Sequence, residues 1–150
     1  MGAIKTLEPV IALLMAFSPV LGQESVNCPT EVLGRIERQV GHLNGEDWIS
    51  FFGSIEPRCK GDLRFMGWVN DLLFRTLEAQ PTEFMSAFDE LSSVTQRMIL
   101  DQLVAPGHDG LDPARTYDQI QEAAGPPQSK QRILQALTKA GCRCDTESIP

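Results

Sequence analysis

Four cysteines are the residues of this 150-residue chain with the clearest potential for chemistry. They are Cys28, Cys59, Cys142 and Cys144, so the last two form a Cys-x-Cys pair near the C-terminus. Zinc binding is disfavoured because the two histidines are scattered and give no paired ligand spacing. A redox role would need an exposed, activated thiol, and only Arg143 could assist one. An even number of cysteines behind an apolar leader instead favours two disulfide bonds.

Four cysteines allow three pairings, and these pairings differ in what they fasten. A bond between Cys142 and Cys144 would close a ring around a single residue, which strains disulfide geometry. In the other two pairings, each of these cysteines joins Cys28 or Cys59. We therefore expect a double clasp that ties the last helix to the start of the first helix and to the loop before the central helix. An interchain bond is the alternative.

The adjacent residues His108 and Asp109 are the best candidates for catalysis because they lie in a Gly-rich loop. A hydrolase centred on His108 would place Asp109, Asp112 or a serine within hydrogen-bond reach of the imidazole. A turn built from Pro, Gly and Asp explains the same loop without catalysis. We therefore predict no catalytic residue and rank the hydrolase third among the functions considered.

Acidic residues follow the same loop and raise the question of calcium. Asp109, Asp112 and Asp118 are close in sequence, but Pro113 and Arg115 interrupt the order of ligands that an EF-hand loop requires. The sequence therefore predicts neither a metal site nor a cofactor.

The first 22 residues have the order of a secretory signal peptide. Lys5 precedes the apolar run 10–17, and small residues follow before Gly22. The run is too short to span a membrane and is bracketed by prolines. We expect cleavage after Gly22 and a secreted, extracellular mature chain without a membrane span.

The net charge of -7 at neutral pH limits the classes of partner. Nucleic-acid binding depends on basic residues that neutralise phosphates, and no Lys/Arg cluster occurs in the sequence. Anionic membrane surfaces are disfavoured for the same reason. We therefore expect a protein partner rather than nucleic acid or a bilayer.

Apolar residues recur at helical spacing along the mature chain, and no alternating strand pattern is present. The segment 62–79 is apolar around most of its circumference, so it must be surrounded by other helices. The predicted fold is all-α: a compact, disulfide-stapled bundle of about five to seven short helices around this central helix. Residues 23–150 form one domain, with a disordered tail at 145–150.

Aromatic side chains of the predicted helices suggest a site for an apolar ligand. Trp48, Phe52, Trp68 and Phe88 could line such a cavity, although the same residues at helical spacing are what a core requires.

These patterns favour a non-catalytic protein that binds an extracellular protein partner, in a ligand, defence or reproductive role. The expected binding surfaces are the exposed faces of the first helix and of the helix that begins at Pro113. An extracellular carrier of a lipid or small apolar molecule is the alternative. The sequence leaves open whether the protein is a monomer or a disulfide-linked dimer.

Overall fold

A computed structural model describes residues 26–141, and this part of the chain is all-helical. Seven α-helices and one 3-10 turn follow one another through short connections. We number the helices α1 (Thr30–Arg38), α2 (Gly45–Ser54), α3 (Leu63–Ala79), α4 (Pro81–Asp89), α5 (Ser93–Val104), α6 (Pro113–Glu122) and α7 (Pro127–Gly141), with the 3-10 turn at Pro57–Cys59.

Helix α3 lies at the centre of the bundle, as its sequence predicts. Asp62 begins it by accepting a hydrogen bond from the backbone N–H of Phe65, and α1, α4, α5 and α6 pack around it. Most of its apolar residues are buried, but Leu63 is 84% exposed and Trp68 is only partly buried. The sequence predicts that other helices cover the whole apolar face of α3, but these two residues of that face are not fully buried.

Two helix boundaries depend on local backbone chemistry. Helix α1 ends at Arg38, earlier than the apolar pattern suggests, because Gly41 turns the chain with a φ of 90°. Helices α4 and α5 are separated at Ser92, whose side chain accepts from the backbone N–H of Thr95 and so begins α5. Asp112 and Pro113 occupy the cap and first position of α6, as expected.

The core is continuous and rich in phenylalanine. Fully buried aromatic and aliphatic side chains from α1, α2, α3 and α4 meet those of α5, α6 and α7 in one cluster. Its largest fully buried members include Phe51, Phe52, Phe65, Phe74, Phe84 and Phe88.

The disulfide arrangement differs from the predicted double clasp. Cys28 bonds to Cys59, with a Cα–Cα distance of 5.8 Å, and both residues are buried. The physical reason is the pairing of α1 with α2: Cys28 precedes one helix and Cys59 follows the other, so the hairpin brings its two outer ends together. The expectation that Cys28 and Cys59 bond to Cys142 and Cys144 is therefore wrong.

Several predictions fall on residues outside the described range. These are the signal peptide at 1–22, the tail at 145–150 and the fate of Cys142 and Cys144. Within residues 26–141, every helix is too short or too polar to span a lipid bilayer.

Candidate functional site

A surface cleft of about 580 Å³ lies between α2 and α4. Three further clefts measure about 340, 250 and 220 Å³. Positions three and four residues apart share one face of a helix, and this spacing places four α2 residues along one wall. We call this site the α2–α4 cleft; its lining is Leu43, Asn44, Gly45, Trp48, Ile49 and Phe52 on one side and Thr82, Glu83, Ser86, Ala87, Glu90 and Leu91 on the other.

A capping box fixes the start of the α2 wall. The side-chain oxygen of Asn44 accepts from the backbone N–H groups of Glu46 and Asp47, at 2.9 and 3.1 Å. The carboxylate of Asp47 in turn accepts from the backbone N–H of Asn44 at 3.1 Å. Because these bonds satisfy donors that a helix start leaves free, α2 begins at a defined residue.

Gln80 holds the two walls together at one end of the cleft. It lies at the corner between α3 and α4, directly before Pro81. Its Oε1 accepts from the backbone N–H of Leu43 at 2.8 Å, and its Nε2 donates to the carbonyl oxygen of Leu43 at 3.1 Å. This pair of bonds sets the position of the α2 wall relative to α4.

Two aromatic rings, Trp48 and Phe52, form the floor of the cleft. Trp48 stacks on Phe52 with 5.6 Å between ring centroids, and the fully buried Phe84 packs beneath them, edge-on to both at 5.7 and 5.2 Å. Offset and edge-on contacts of this kind stabilise a packed cluster beyond the area they bury. The floor is therefore apolar and supported by the core.

The apolar surface continues out of the cleft on to the outer face of α2. Ile49 is 75% exposed although it is a large aliphatic residue, and Leu91 is partly exposed on the opposite wall. Scattered apolar residues are common on protein surfaces, but one that adjoins an apolar cleft extends a continuous patch.

The charge of the cleft has one sign. Glu83 and Glu90 are its charged lining residues, and both are exposed. No salt bridge is formed by either carboxylate with any residue of 26–141.

One polar atom of the floor lacks a partner. Trp48 is only 3% exposed, and its indole Nε1 has no hydrogen-bond partner among residues 26–141. A buried N–H without an acceptor is unfavourable and uncommon in folded proteins.

The structure brings together two of the four aromatic residues predicted to line a cavity. Trp48 and Phe52 line the α2–α4 cleft. Phe88 is fully buried in the core, where the guanidinium of Arg132 lies 5.7 Å from its ring centroid. Trp68 lines a separate depression of about 250 Å³.

Two features of this cleft were not predicted from the sequence. The binding surface was expected on the first helix and on the helix from Pro113, whereas this apolar cleft lies between α2 and α4. The spacing Gly45, Trp48, Ile49, Phe52 and the Asn44-x-x-Asp47 box were the available signals. No sequence pattern indicates the acidic wall, because Glu83 and Glu90 reach the cleft only through the packing of α4 on α2.

Both ring nitrogens of His108 have hydrogen-bond partners. Its Nε2 lies 3.1 Å from Asp71 Oδ1, and its Nδ1 accepts from the backbone N–H of Gly110 at 3.1 Å. In the neutral imidazole, Nε2 therefore carries the proton and donates it to Asp71. A hydrolase centred on His108, the third of the functions considered, would need a ring nitrogen that accepts a proton from a nucleophile, and in this arrangement both nitrogens are engaged.

Asp71 extends the same network rather than serving a nucleophile. Its second oxygen accepts from Arg75 at 3.2 Å, and Arg75 also bonds Glu37 at 3.3 Å. The hydrogen bonds of His108 do not include Asp109, Asp112 or a serine among residues 26–141. The network joins the loop after α5 to α3 and α1.

A search of residues 26–141 for three or more metal-ligating side chains in one place finds no such group.

No protein-family model, curated protein or solved structure matches this chain.

Proposed function

We propose that this protein is a non-catalytic binding protein that holds an apolar segment of another protein in the α2–α4 cleft. The observation that carries the proposal is the exposure of Ile49, at 75%, beside a cleft of about 580 Å³ with an aromatic floor. Burial of a large aliphatic side chain contributes about 1.5–3 kcal/mol, so this patch is a favourable place for a partner to dock.

The shape of the site favours a protein segment over a small molecule. Small-molecule sites bury most of the ligand and are concave. The α2–α4 cleft is open to solvent, and Ile49 directs most of its surface away from the walls. A protein segment lying along α2 would cover both the cleft and Ile49, whereas a small ligand would leave Ile49 exposed.

We propose that binding takes place outside the cell. The signal-peptide pattern at 1–22 supports this location, and the Cys28–Cys59 disulfide is compatible with an oxidising compartment. A disulfide between the ends of the α1–α2 hairpin also keeps α2, one wall of the cleft, in its place.

An apolar-ligand carrier is the second candidate, and the volume of the cleft favours it. A volume of about 580 Å³ falls within the range of small-molecule sites, and Trp48 and Phe52 would provide the contact surface. Native mass spectrometry of the protein secreted by eukaryotic cells separates the two candidates. A carrier retains a bound molecule of a few hundred daltons, whereas the proposed function predicts the mass of the chain alone.

Substitution of the exposed apolar residue tests the proposed function. Ile49→Lys removes the apolar contact and places a charge beside the cleft, whereas Leu63→Lys makes the same kind of change at an equally exposed residue on α3. Immobilised wild-type and variant chains are incubated with extracellular fluid, and captured proteins are identified by mass spectrometry. We expect a protein captured by the wild type and by Leu63→Lys but not by Ile49→Lys.

The affinity of that captured protein is then measured by calorimetry. Ile49→Lys removes one hot-spot contact, so it should raise the dissociation constant by at least tenfold. Equal capture by all three chains, with equal melting temperatures, would refute the role of the α2–α4 cleft.

A further inference from the structure

The charges around the α2–α4 cleft define the chemistry of its occupant. Glu83 and Glu90 line the cleft, and Glu46 adds an exposed carboxylate in the first turn of the opposite wall. Asp47 is also on α2, but it is engaged in the capping box and lies 3.8 Å from Arg35. The cleft itself is therefore lined by two acidic side chains, Glu83 and Glu90, that form no salt bridge within residues 26–141.

We infer that the occupant is a segment of a partner protein in which an apolar side chain lies between two basic residues. This inference rests on the proposed function and adds the charge of the partner to it. The apolar side chain contacts Ile49 and the aromatic floor, while Lys or Arg residues on either side pair with Glu83 and Glu90.

The spacing of the two carboxylates sets the spacing of the bases. Glu83 lies in α4 and Glu90 directly follows its last residue, so the two are seven residues apart, or about 10.5 Å at the rise of a helix. Bases at positions i and i+7 of a partner helix match this distance and share one face of that helix. Apolar residues between those positions then face the cleft.

The indole of Trp48 distinguishes a peptide from a hydrocarbon chain. Its Nε1 is a donor without an acceptor in residues 26–141, and Trp48 lines the cleft. A peptide segment carries a carbonyl oxygen at every residue, whereas an aliphatic tail has no acceptor along its length. Because this N–H is itself buried, a carbonyl oxygen of the partner segment accepts its hydrogen bond only after the indole turns towards the cleft.

The same carboxylates disfavour the binding of anionic lipids and of acidic peptides. An acidic rim repels anionic lipid headgroups and acidic peptides, because like charges that are brought together raise the free energy of the complex. The net charge of -7 acts in the same direction at longer range and speeds the approach of a basic partner.

Selection from a displayed library of random peptides tests the inference. The library is panned on the full mature chain, and peptides are kept only if they bind the wild type and fail to bind Ile49→Ser, a neutral variant that does not itself select for the charge of the peptide. We expect these peptides to carry apolar residues flanked by Lys or Arg at the spacing given above. Selected peptides that are neutral or acidic would overturn the inference.

Charge reversal provides the second measurement. Glu83→Lys/Glu90→Lys should weaken the selected peptides by at least tenfold and enrich acidic peptides in a repeated selection. The control Asp109→Lys/Glu122→Lys changes the net charge equally at two exposed positions that do not line the cleft, and it should leave affinity within about twofold. Equal weakening by both double variants would overturn the inference, since a general field effect would then explain the preference.

Binding is read from the intrinsic fluorescence of the cleft. The chain has two tryptophans, so Trp68→Phe leaves Trp48 as the sole reporter. If no peptide depends on Ile49, the proposed function itself fails. If Ile49-dependent peptides bind with equal affinity before and after reversal of Glu83 and Glu90, the proposed function stands and the inference about charge fails.

Discussion

Removal of the Cys28–Cys59 disulfide is expected to destabilise the protein by about 3.7 kcal/mol. The two cysteines are 31 residues apart, and the chain-entropy treatment of a loop of that length gives this value at 25 °C. Alanine is the suitable replacement in Cys28→Ala/Cys59→Ala, because both positions are buried and a serine hydroxyl would need a new partner.

The melting temperature should fall with the free energy of unfolding. For a chain of this size, 1 kcal/mol corresponds to about 4 °C, so the double variant should melt about 15 °C lower. Circular dichroism at the helical minimum measures the melting temperature, and urea titration measures the free energy of unfolding under a two-state treatment.

Cys142→Ala/Cys144→Ala is the matched control, and it separates the two disulfide arrangements. In a double clasp, each double variant would remove both disulfides, so the two would lose equal stability. In the observed arrangement, Cys28 and Cys59 bond to each other, and the control should lose less than about 1 kcal/mol. Equal losses for the two double variants would refute the assignment of Cys28 to Cys59.

Four further substitutions test individual contacts of the described structure. Asn70 is 3% exposed, and its amide donates to two carbonyl oxygens at the end of α5, at 2.8 and 3.1 Å. Asn70→Asp replaces this donor with a carboxylate and should lower the free energy of unfolding, measured in urea, by about 3 kcal/mol or more. Phe84→Ala removes a fully buried ring that packs beneath the cleft floor, so it should lower the free energy of unfolding by about 4 kcal/mol and reduce the near-ultraviolet circular dichroism. An unchanged spectrum would contradict the described packing. Gly41→Ala should lower the free energy of unfolding by about 1 kcal/mol, because alanine is strained at a φ of 90°. Steric clash adds nothing, since the nearest atom to the new methyl carbon is 3.9 Å away. His108→Ala should change the melting temperature by no more than about 4 °C and leave peptide affinity unchanged, since the side chain is half exposed and lies outside the cleft; a tenfold loss of affinity would show that its loop takes part in binding.

The sequence predicts the fold well because helical spacing is a local property. The central segment 62–79 is apolar around most of its surface, and this pattern requires the surrounding helices that the structure shows. Asp112 with Pro113 likewise begins α6 by chemistry that acts within four residues.

The disulfide and the cleft were harder to predict because each depends on how helices pack. Loop length and ring strain can be judged from the sequence, but the antiparallel pairing of α1 with α2 decides which cysteine meets Cys59. Likewise, an aromatic residue at helical spacing can face either the core or a cleft. Phe88 and Phe52 are equivalent in the sequence pattern, but only Phe52 lines the α2–α4 cleft.

Hydrogen exchange measured by mass spectrometry tests the central proposal most directly. The full mature chain is compared alone and saturated with a peptide selected on the wild type. If the peptide binds in the α2–α4 cleft, exchange should slow at 43–52 and 81–91, the two walls of the cleft, with little change in α6 and α7. Protection confined to α6 and α7, or spread evenly over the chain, would contradict the claim that this cleft is the binding site.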